Sequence, residues 1–378
     1  MGHDLSVVAE NLRAPVYIYS FKRVTENLKR LRDSFSGPLH IHFAVKTNSN
    51  RELLSRLKNA GVGLDVVSGG EVARALECGF KGQDILFSGV AKTVEEINFS
   101  LENKIRLFNV ESPQELVRIG ELARGKKLRA SVSFRLNPNV NPKTHPYITT
   151  GFKENKFGMD KSFLPELLEI LGRFKDSLEL TALDFHIGSQ LFKIKPFEEA
   201  LKKSIPLFED LRGRGFNLKS FDIGGGIGVP YNNEKPFDLK SYGKTVEKYL
   251  RPLGCDIVCE PGRFLLADAG VLLTQVEYIK KTPYKSFVIV NTGMHHLMRP
   301  ALYQAYHSIK PVIQNKGVAR KVDVVGPICE SSDFLAKDRK LPALKQGEFL
   351  AICDVGAYGF VMASDYNLHP KPREIFVD

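Results

Sequence analysis

The 378-residue sequence contains no run of eighteen or more apolar residues, although 43% of its residues are hydrophobic. A helix needs about 20 consecutive apolar residues to cross a bilayer, so we expect no membrane span. The first ten residues lack the basic and then apolar pattern of a secretion signal, and they include Asp4 and Glu10. We therefore expect a cytoplasmic protein.

Cysteine is also scarce, with only five residues in the chain. The number is odd and no Cys-x-x-Cys pair occurs, which predicts a reducing compartment and no structural disulfide. Cys255 and Cys259 are close in sequence, but no second pair of histidines or cysteines follows at the spacing of a zinc site. We therefore predict no metal centre.

The formal net charge is +11, from 54 basic and 43 acidic residues. The basic residues are scattered in short pairs that alternate with acidic residues, and no nucleic-acid-binding module is recognisable. We therefore predict no nucleic-acid partner. Attraction of anionic small molecules explains the net positive charge more simply than nucleic-acid binding does.

Strand-like and helix-like segments alternate from residue 22 to about residue 267, which is typical of parallel βαβ units. Eight strands in about 240 residues match a (β/α)8 TIM-type barrel. The predicted strands are residues 41–45, 64–67, 85–87, 105–110, 130–136, 182–186, 220–223 and 256–259.

The pattern changes after Asp268, where strand-like segments follow one another with little helical periodicity. These segments are residues 271–280, 286–291, 321–327 and 349–354. We predict a barrel domain at residues 22–267 and a second, mostly β domain formed by residues 1–21 and 268–378.

Lys46 ends the first predicted barrel strand, in the segment HIHFAVKTNSN. A lysine at such a place is usually a solvated surface charge. At the carboxyl end of a barrel strand, it could instead form a Schiff base with a carbonyl cofactor. The residues that end the other strands decide between these interpretations.

Four further strands carry residues, at or near their ends, that could hold such a cofactor. Asp65 lies inside the apolar second strand and needs a cationic partner such as Lys46. Ser68 and Glu71 follow it with the spacing of a capping box. On the sixth strand, His186 precedes Gly188 and Ser189, an arrangement that suits a flat ring stacked on a cofactor with a phosphate beside it.

The seventh strand ends in Gly224, Gly225 and Gly226, which form either a tight turn or a close backbone approach to a phosphate. Barrel enzymes often bind phosphate after strands seven and eight. The eighth strand ends in Glu260, with Arg263 three residues later. Glu260 could hold a protonated ring nitrogen, although a surface ion pair with Arg263 is the alternative.

Several short motifs, in order along nearly the whole chain, resemble the alanine-racemase-fold decarboxylases that use pyridoxal 5′-phosphate. The motifs are residues 44–48, 65–71, 186–190, 224–226, 260–263, 329–331 and 356–358. Residues 144–151 and 299–303 resemble the diaminopimelate branch of that family. This resemblance implies a (β/α)8 barrel and a second β domain.

The resemblance also implies roles for individual residues. Lys46 binds the cofactor covalently, His186 stacks on its ring, Glu260 pairs with the ring nitrogen, and Cys329 is the proton donor. The cofactor phosphate and the nearby substrate are contacted by Gly224, Gly225, Gly226, Gly262, Arg263 and Tyr358. The remote end of the substrate is contacted by Arg299, Tyr303 and Glu330.

The implied reaction is decarboxylation of meso-2,6-diaminopimelate to L-lysine and carbon dioxide, the last step of lysine biosynthesis. The resemblance further implies a homodimer in which Cys329 and Glu330 reach the partner's site, with residues 143–152 forming a loop over it. Asn291, Thr292 and Ser332 depart from the family pattern. Two alternatives remain: a sister decarboxylase for another amino acid, free or carrier-bound, and an inactive cofactor-binding relative.

Overall fold

The computed structural model describes residues 14–140, 156–313 and 317–377. The chain forms two compact units. One, here called the barrel unit, comprises Leu28–Gly228 and Pro236–Gly262. The other, here called the β unit, comprises Val229–Lys235 with the described parts of Met1–Asn27 and Arg263–Asp378. The predicted domain boundaries at residues 22–267 and 268–378 stay a prediction.

Strand β1 (Val16–Ser20) precedes eight parallel strands that close into a barrel in chain order. The barrel strands are β2 (His40–Ala44), β3 (Gly63–Val66), β4 (Ile85–Phe87), β5 (Leu107–Val110), β6 (Ala130–Leu136), β7 (Leu178–Phe185), β8 (Ser220–Asp222) and β9 (Asp256–Cys259). Pairing of β2 with β9 completes the ring. The predicted barrel is therefore confirmed.

A helix precedes the first barrel strand, and further helices separate the barrel strands, as the alternating pattern predicts. They are α1 (Phe21–Arg32), α2 (Arg51–Asn59), α3 (Gly69–Glu77), α4 (Val94–Glu102), α5 (Pro113–Gly125), α6 (Leu164–Arg173), α7 (Lys195–Gly213) and α8 (Leu239–Leu250). In the described chain, no helix is both long enough and apolar enough to span a membrane.

Local hydrogen bonds position the turns that follow β2 and β3. The side chain of Asn50 accepts hydrogen bonds from the first turn of α2, and Ser68 caps α3 by accepting from Glu71 N–H at 3.2 Å. The Glu71 carboxylate accepts from Val67 N–H at 2.8 Å instead of closing back on Ser68. The reciprocal capping box predicted for Ser68 and Glu71 is therefore wrong, because Glu71 satisfies the N–H at the end of β3.

The β unit contains an eight-stranded sheet in which β1 pairs with β10 and β16. Its other strands are β10 (Gly270–Lys281), β11 (Ser286–Val290), β12 (Ile309–Pro311), β13 (Arg320–Val325), β14 (Phe334–Leu341), β15 (Phe349–Ile352) and β16 (Arg373–Val377). Two short helices, α9 (Arg263–Leu266) and α10 (Arg299–Tyr303), complete the unit. The predicted mostly β character is confirmed.

Strand β14 was not predicted because half of the residues in its sequence, FLAKDRKL, are charged. Its burial alternates only in part, with Leu335 and Ala336 buried and Lys337 and Asp338 exposed. The buried residues pack into the apolar core of the sheet, which favours a strand despite the exposed charges. All five cysteines of the protein are free thiols.

Candidate active site

Lys46 lies on a single helical turn, Val45–Thr47, directly after β2. Its Nζ atom is 2.9 Å from Oδ2 of Asp65, which is fully buried on the neighbouring strand β3. About a third of the Lys46 side chain remains exposed. The predicted pairing of these residues is present, and it leaves the amine accessible for chemistry.

His186 follows the end of β7, and its Nδ1 atom accepts a hydrogen bond from the Gly225 backbone N–H at 3.2 Å. Because Nδ1 is the acceptor, a neutral ring carries its proton on Nε2. Burial lowers the pKa of His186 well below its ordinary value, and the cations Arg135 and Lys46 lower it further. The imidazole is therefore a neutral, fixed ring.

Glu260 follows β9 and is almost fully buried. Its Oε1 atom accepts a hydrogen bond from Asn109 at 3.2 Å. Burial raises the pKa of Glu260 well above its ordinary value, and Asp222, Asp65 and Asp184 raise it further. Glu260 can therefore hold a proton in this pocket, and its burial means that it is not a surface charge.

The carboxyl groups of Asp184, Asp222 and Glu260 lie within 4.8 Å of one another inside the barrel. Burial raises the pKa of Asp222 to about 7, although the Gly224 N–H opposes this shift. Like charges this close cannot all ionise at low cost, so the cluster holds protons near neutral pH.

The sequence did not suggest Arg135 or Glu111, which join three segments of the barrel mouth. Arg135 Nη1 is 2.8 Å from Glu111 Oε1, and both side chains are buried. The Glu111 carboxylate also accepts from the backbone N–H groups of Gly89 and Gly158, at 2.9 and 3.0 Å. A single cation inside the apolar strand β6 was the only sequence signal.

Lys46, His186 and Glu260 share one cavity of about 390 Å³. Its other lining residues come from the ends of neighbouring strands and the turns after them. They are Val67, Ser88, Gly89, Val90, Ala91, Glu96, Arg135 and Phe157. The cavity therefore combines an amine, a flat ring and a buried acid at the carboxyl end of the barrel.

The glycine turn after β8 leaves no room for side chains. A Cβ atom on Gly225 or Gly226 would collide with the backbone carbonyl of Glu260 or Gly188, respectively. Gly224 and Gly226 also have positive φ angles of 62° and 103°, which favour glycine. Nearby, Gly188 has φ 143° and Ser189 is partly buried. Gly262 packs its backbone against Thr47.

These residues fit pyridoxal 5′-phosphate. The amine of Lys46 suits its aldehyde, the His186 ring suits its face, and Glu260 suits its ring nitrogen. The bare backbone of the glycine turn can approach a phosphate closely. Lys46, His186 and Glu260 line one cavity, and their roles toward the cofactor stay a prediction.

A second group of predicted residues lies in the β unit. Arg263 stacks on the ring of Tyr358 at 4.7 Å and donates to the Tyr231 hydroxyl at 3.1 Å. Arg299, in α10, stacks on the ring of Tyr231 at 4.7 Å and is 6% exposed. Tyr303 ends the same helix and is partly buried. The cluster brings two guanidinium groups together around Tyr231, which the sequence did not suggest.

Within the described residues, Arg299 forms no salt bridge. Burial lowers the pKa of Arg299, and the nearby Arg263 lowers it further, although Tyr231 opposes this shift. A buried guanidinium without an acidic partner, as at Arg299, favours binding of an anion. The cluster therefore suits a carboxylate ligand.

Cys329 and Glu330 lie on an exposed turn of the β unit. Glu330 accepts a hydrogen bond from the Tyr366 hydroxyl at 2.6 Å, and the backbone N–H of Cys329 donates to Asn367 at 3.3 Å. The Glu330 side chain and the Cys329 backbone are therefore held at a surface. The predicted loop at residues 143–152 lies outside the described residues.

Two of the departures from the family pattern are part of the scaffold. The Asn291 side chain accepts from Thr274 and from the Gln275 N–H, and Thr292 is hydrogen-bonded to His296 at 2.9 Å. The third, Ser332, contacts the sulfur of Met294. These contacts give the departures a packing role in the β unit.

Comparison with known proteins agrees with this geometry. Residues 21–267 match the family model described as pyridoxal-dependent decarboxylase, pyridoxal binding domain. The chain is 43% identical to diaminopimelate decarboxylase from Pseudomonas aeruginosa over 100% of this chain and 91% of that protein. It is 40% identical to the Aquifex aeolicus protein of the same name, over 100% of this chain and 90% of that one.

A solved structure gives the same result. The crystal structure of diaminopimelate decarboxylase from Helicobacter pylori, complexed with L-lysine, superposes with a TM-score of 0.94 and 42% identity. The match covers 99% of this chain and 94% of that one. On sequence, fold and site together, this chain belongs to the diaminopimelate decarboxylases, within the pyridoxal-dependent decarboxylase family.

Proposed function

We propose that this enzyme, a carboxy-lyase, removes carbon dioxide from one end of meso-2,6-diaminopimelate and releases L-lysine. The observation that carries the proposal is the cavity in which Lys46, His186 and Glu260 meet, in a chain related over its full length to diaminopimelate decarboxylases. Bound pyridoxal 5′-phosphate supplies the electron sink for breaking the carbon–carbon bond.

The barrel residues hold the reacting end of the substrate and the cofactor. Lys46 Nζ provides the covalent attachment point, and Asp65 holds that amine in place. His186 presents a neutral ring in a fixed tautomer. The glycine turn, whose Gly224 and Gly225 N–H groups donate to Asp222 and His186, would bring bare backbone close to the phosphate. Glu260 would pair with the ring nitrogen and share a proton with it, since burial and neighbouring acids raise the pKa of its carboxyl group and so keep a proton available there.

The arginine cluster of the β unit selects the other end of the substrate. That end is itself an amino acid, whose carboxylate needs a cation and whose ammonium needs an anion. We assign the carboxylate to Arg299, with Arg263, Tyr303 and Tyr358 beside it. The absence of a salt bridge to Arg299, within the described residues, supports this assignment.

We further propose that the active form is a homodimer in which Cys329 and Glu330 serve the site of the partner chain. Cys329 would return a proton to the substrate carbon after carbon dioxide leaves, and Glu330 would hold the remote ammonium. Both residues are exposed, and each is held by a neighbouring side chain. Free cysteines also support the expected cytoplasmic location.

The direct test is turnover of meso-diaminopimelate by the wild-type holoenzyme and by Lys46→Ala. Wild-type protein should release carbon dioxide and L-lysine and show the visible absorbance of lysine-bound cofactor. Lys46→Ala should lose both properties, whereas Lys29→Ala, at an exposed ion pair on α1, should keep them. Equal activity of Lys46→Ala and wild-type protein would contradict the proposal.

A further inference from the structure

His307 is a fully buried histidine whose two ring nitrogens both have partners. Its Nδ1 atom lies 2.9 Å from the carbonyl oxygen of Cys353, and its Nε2 atom lies 3.0 Å from Nη1 of Arg299. A carbonyl oxygen can only accept, so Nδ1 carries the ring proton. Nε2 therefore has a free electron pair and accepts from the guanidinium.

The protein environment keeps His307 in this neutral tautomer. Burial, together with the nearby Arg299 charge, lowers the pKa of His307 to about 3. The edge of the ring also meets Tyr231, with the ring centres 5.4 Å apart and the planes at 82°. Tyr231 in turn lies under the Arg299 guanidinium. His307 and Tyr231 together fix that group from two directions.

The chemical type of the acceptor matters. A carboxylate beside Arg299 would orient it but would also neutralise its charge and compete with an anionic ligand. A neutral imidazole orients the guanidinium and leaves its full positive charge for another partner. The Cys353 carbonyl belongs to the backbone just after β15, so the imidazole is anchored to the sheet of the β unit.

We propose that His307 is a positioning residue that orients Arg299 toward the carboxylate at the unreacting end of the substrate, and so contributes to substrate specificity. This inference rests on the proposed function, because it assigns that carboxylate to Arg299. His307 acts through Arg299 and does not itself touch the reacting atoms.

Three substitutions at position 307 separate the parts of this role. Gln can place an amide oxygen near the original Nε2 position and so keep an uncharged acceptor for Arg299. Asn is shorter, so it can reach the Cys353 carbonyl but not Arg299. Glu has the shape of Gln but carries a negative charge that would neutralise the guanidinium.

The expected result is a change in KM more than in kcat. His307→Asn should raise KM for meso-diaminopimelate about tenfold or more, since a hydrogen bond to a charged group is lost. His307→Gln should stay within about threefold of wild type, and His307→Glu should be at least about tenfold worse than His307→Gln. Cofactor absorbance and Tm should remain close to those of the wild-type holoenzyme.

The binding of ligands that are not turned over gives a second test, which does not depend on catalysis by the variant. L-lysine keeps the carboxylate that does not react, whereas cadaverine has the same two amines and no carboxylate. Isothermal titration of the holoenzymes should show about tenfold weaker L-lysine binding in His307→Asn, with cadaverine binding within about twofold of wild type.

Equal weakening of both ligands would show a general effect on the pocket and would overturn the proposal. Unchanged L-lysine binding in His307→Asn would overturn it as well, as would equal behaviour of the Gln and Glu variants. If His307→Asn does not fold, the comparison of His307→Gln with His307→Glu tests the proposal by itself. Failure of the wild-type enzyme to decarboxylate meso-diaminopimelate would contradict the proposed function, whereas the ligand comparison judges His307 separately.

Discussion

The Nδ1 atom of His186 and the backbone N–H of Gly225 are hydrogen-bonded at 3.2 Å, which ties the end of β7 to the glycine turn after β8. The bond sets the tautomer of the ring that faces the cofactor cavity. It also fixes the turn whose bare backbone we assign to the phosphate. The position of the His186 ring and the position of the glycine turn are therefore coupled through this one hydrogen bond.

The glycine turn gives the first prediction. Gly226→Ala should lower the affinity for pyridoxal 5′-phosphate at least about tenfold and reduce Tm, because its φ of 103° and the Gly188 carbonyl both oppose a side chain. Absorbance titration of cofactor-free protein measures the affinity. Gly172→Ala in α6, where a Cβ meets nothing, is the matched control and should leave cofactor affinity unchanged. Equal affinity in Gly226→Ala would contradict the assigned turn.

The buried carboxyl cluster predicts how pH affects the cofactor-free protein. The pKa of Asp222 rises from 3.8 to about 7, chiefly through burial. The folded chain therefore binds more protons than the unfolded chain between about pH 4 and pH 7, so stability should fall as pH rises through that window. Asp222→Asn keeps the acceptor for the Gly224 N–H.

This variant should be more stable than wild type at pH 8, by about 2–4 kcal/mol, and close to wild type at pH 4. Urea unfolding of the two cofactor-free proteins at both pH values measures the difference. A stability gap that does not depend on pH would show that Asp222 is ionised in the folded protein, against our interpretation.

The proposed shared site predicts that two inactive variants can restore each other. Lys46→Ala and Cys329→Ala, each nearly inactive, should regain about a quarter of wild-type activity after mixing, dissociation and reassociation. Random pairing makes about half the dimers mixed, and each mixed dimer has one site with both lesions and one intact site. Mixed dimers without any recovered activity would reject the shared site but not the decarboxylase assignment.

Much of the fold and the barrel half of the site could be predicted from the sequence. Parallel strands bring their carboxyl ends to one edge, so Lys46, His186 and Glu260, each at or just after a predicted strand end, could be expected to meet. The strand-ending residues also differ chemically from the apolar strands before them, which made them easy to recognise.

The rest depended on contacts between residues far apart in sequence. Arg135 pairs with Glu111 across two strands, and His307 meets Arg299 and Cys353 only when α10 and β15 are folded. The sequence around a lone histidine or tyrosine does not indicate which distant residue it will contact. In the sequence, Asn291 is a departure from the family pattern near a substrate-contacting motif. In the structure, it accepts hydrogen bonds from Thr274 and Gln275 and so forms part of the scaffold.

Substrate specificity tests the central claim most directly. When L-lysine or L-ornithine places its carboxyl group for reaction, its other end has no carboxylate for Arg299, and a site built around such a partner can reject the analogue by roughly 10⁴-fold. The measurement is kcat/KM for carbon dioxide release from meso-diaminopimelate, L-lysine and L-ornithine by the same holoenzyme. We predict efficient turnover of meso-diaminopimelate and negligible turnover of the other two, whereas a comparable kcat/KM for either would contradict the assigned substrate.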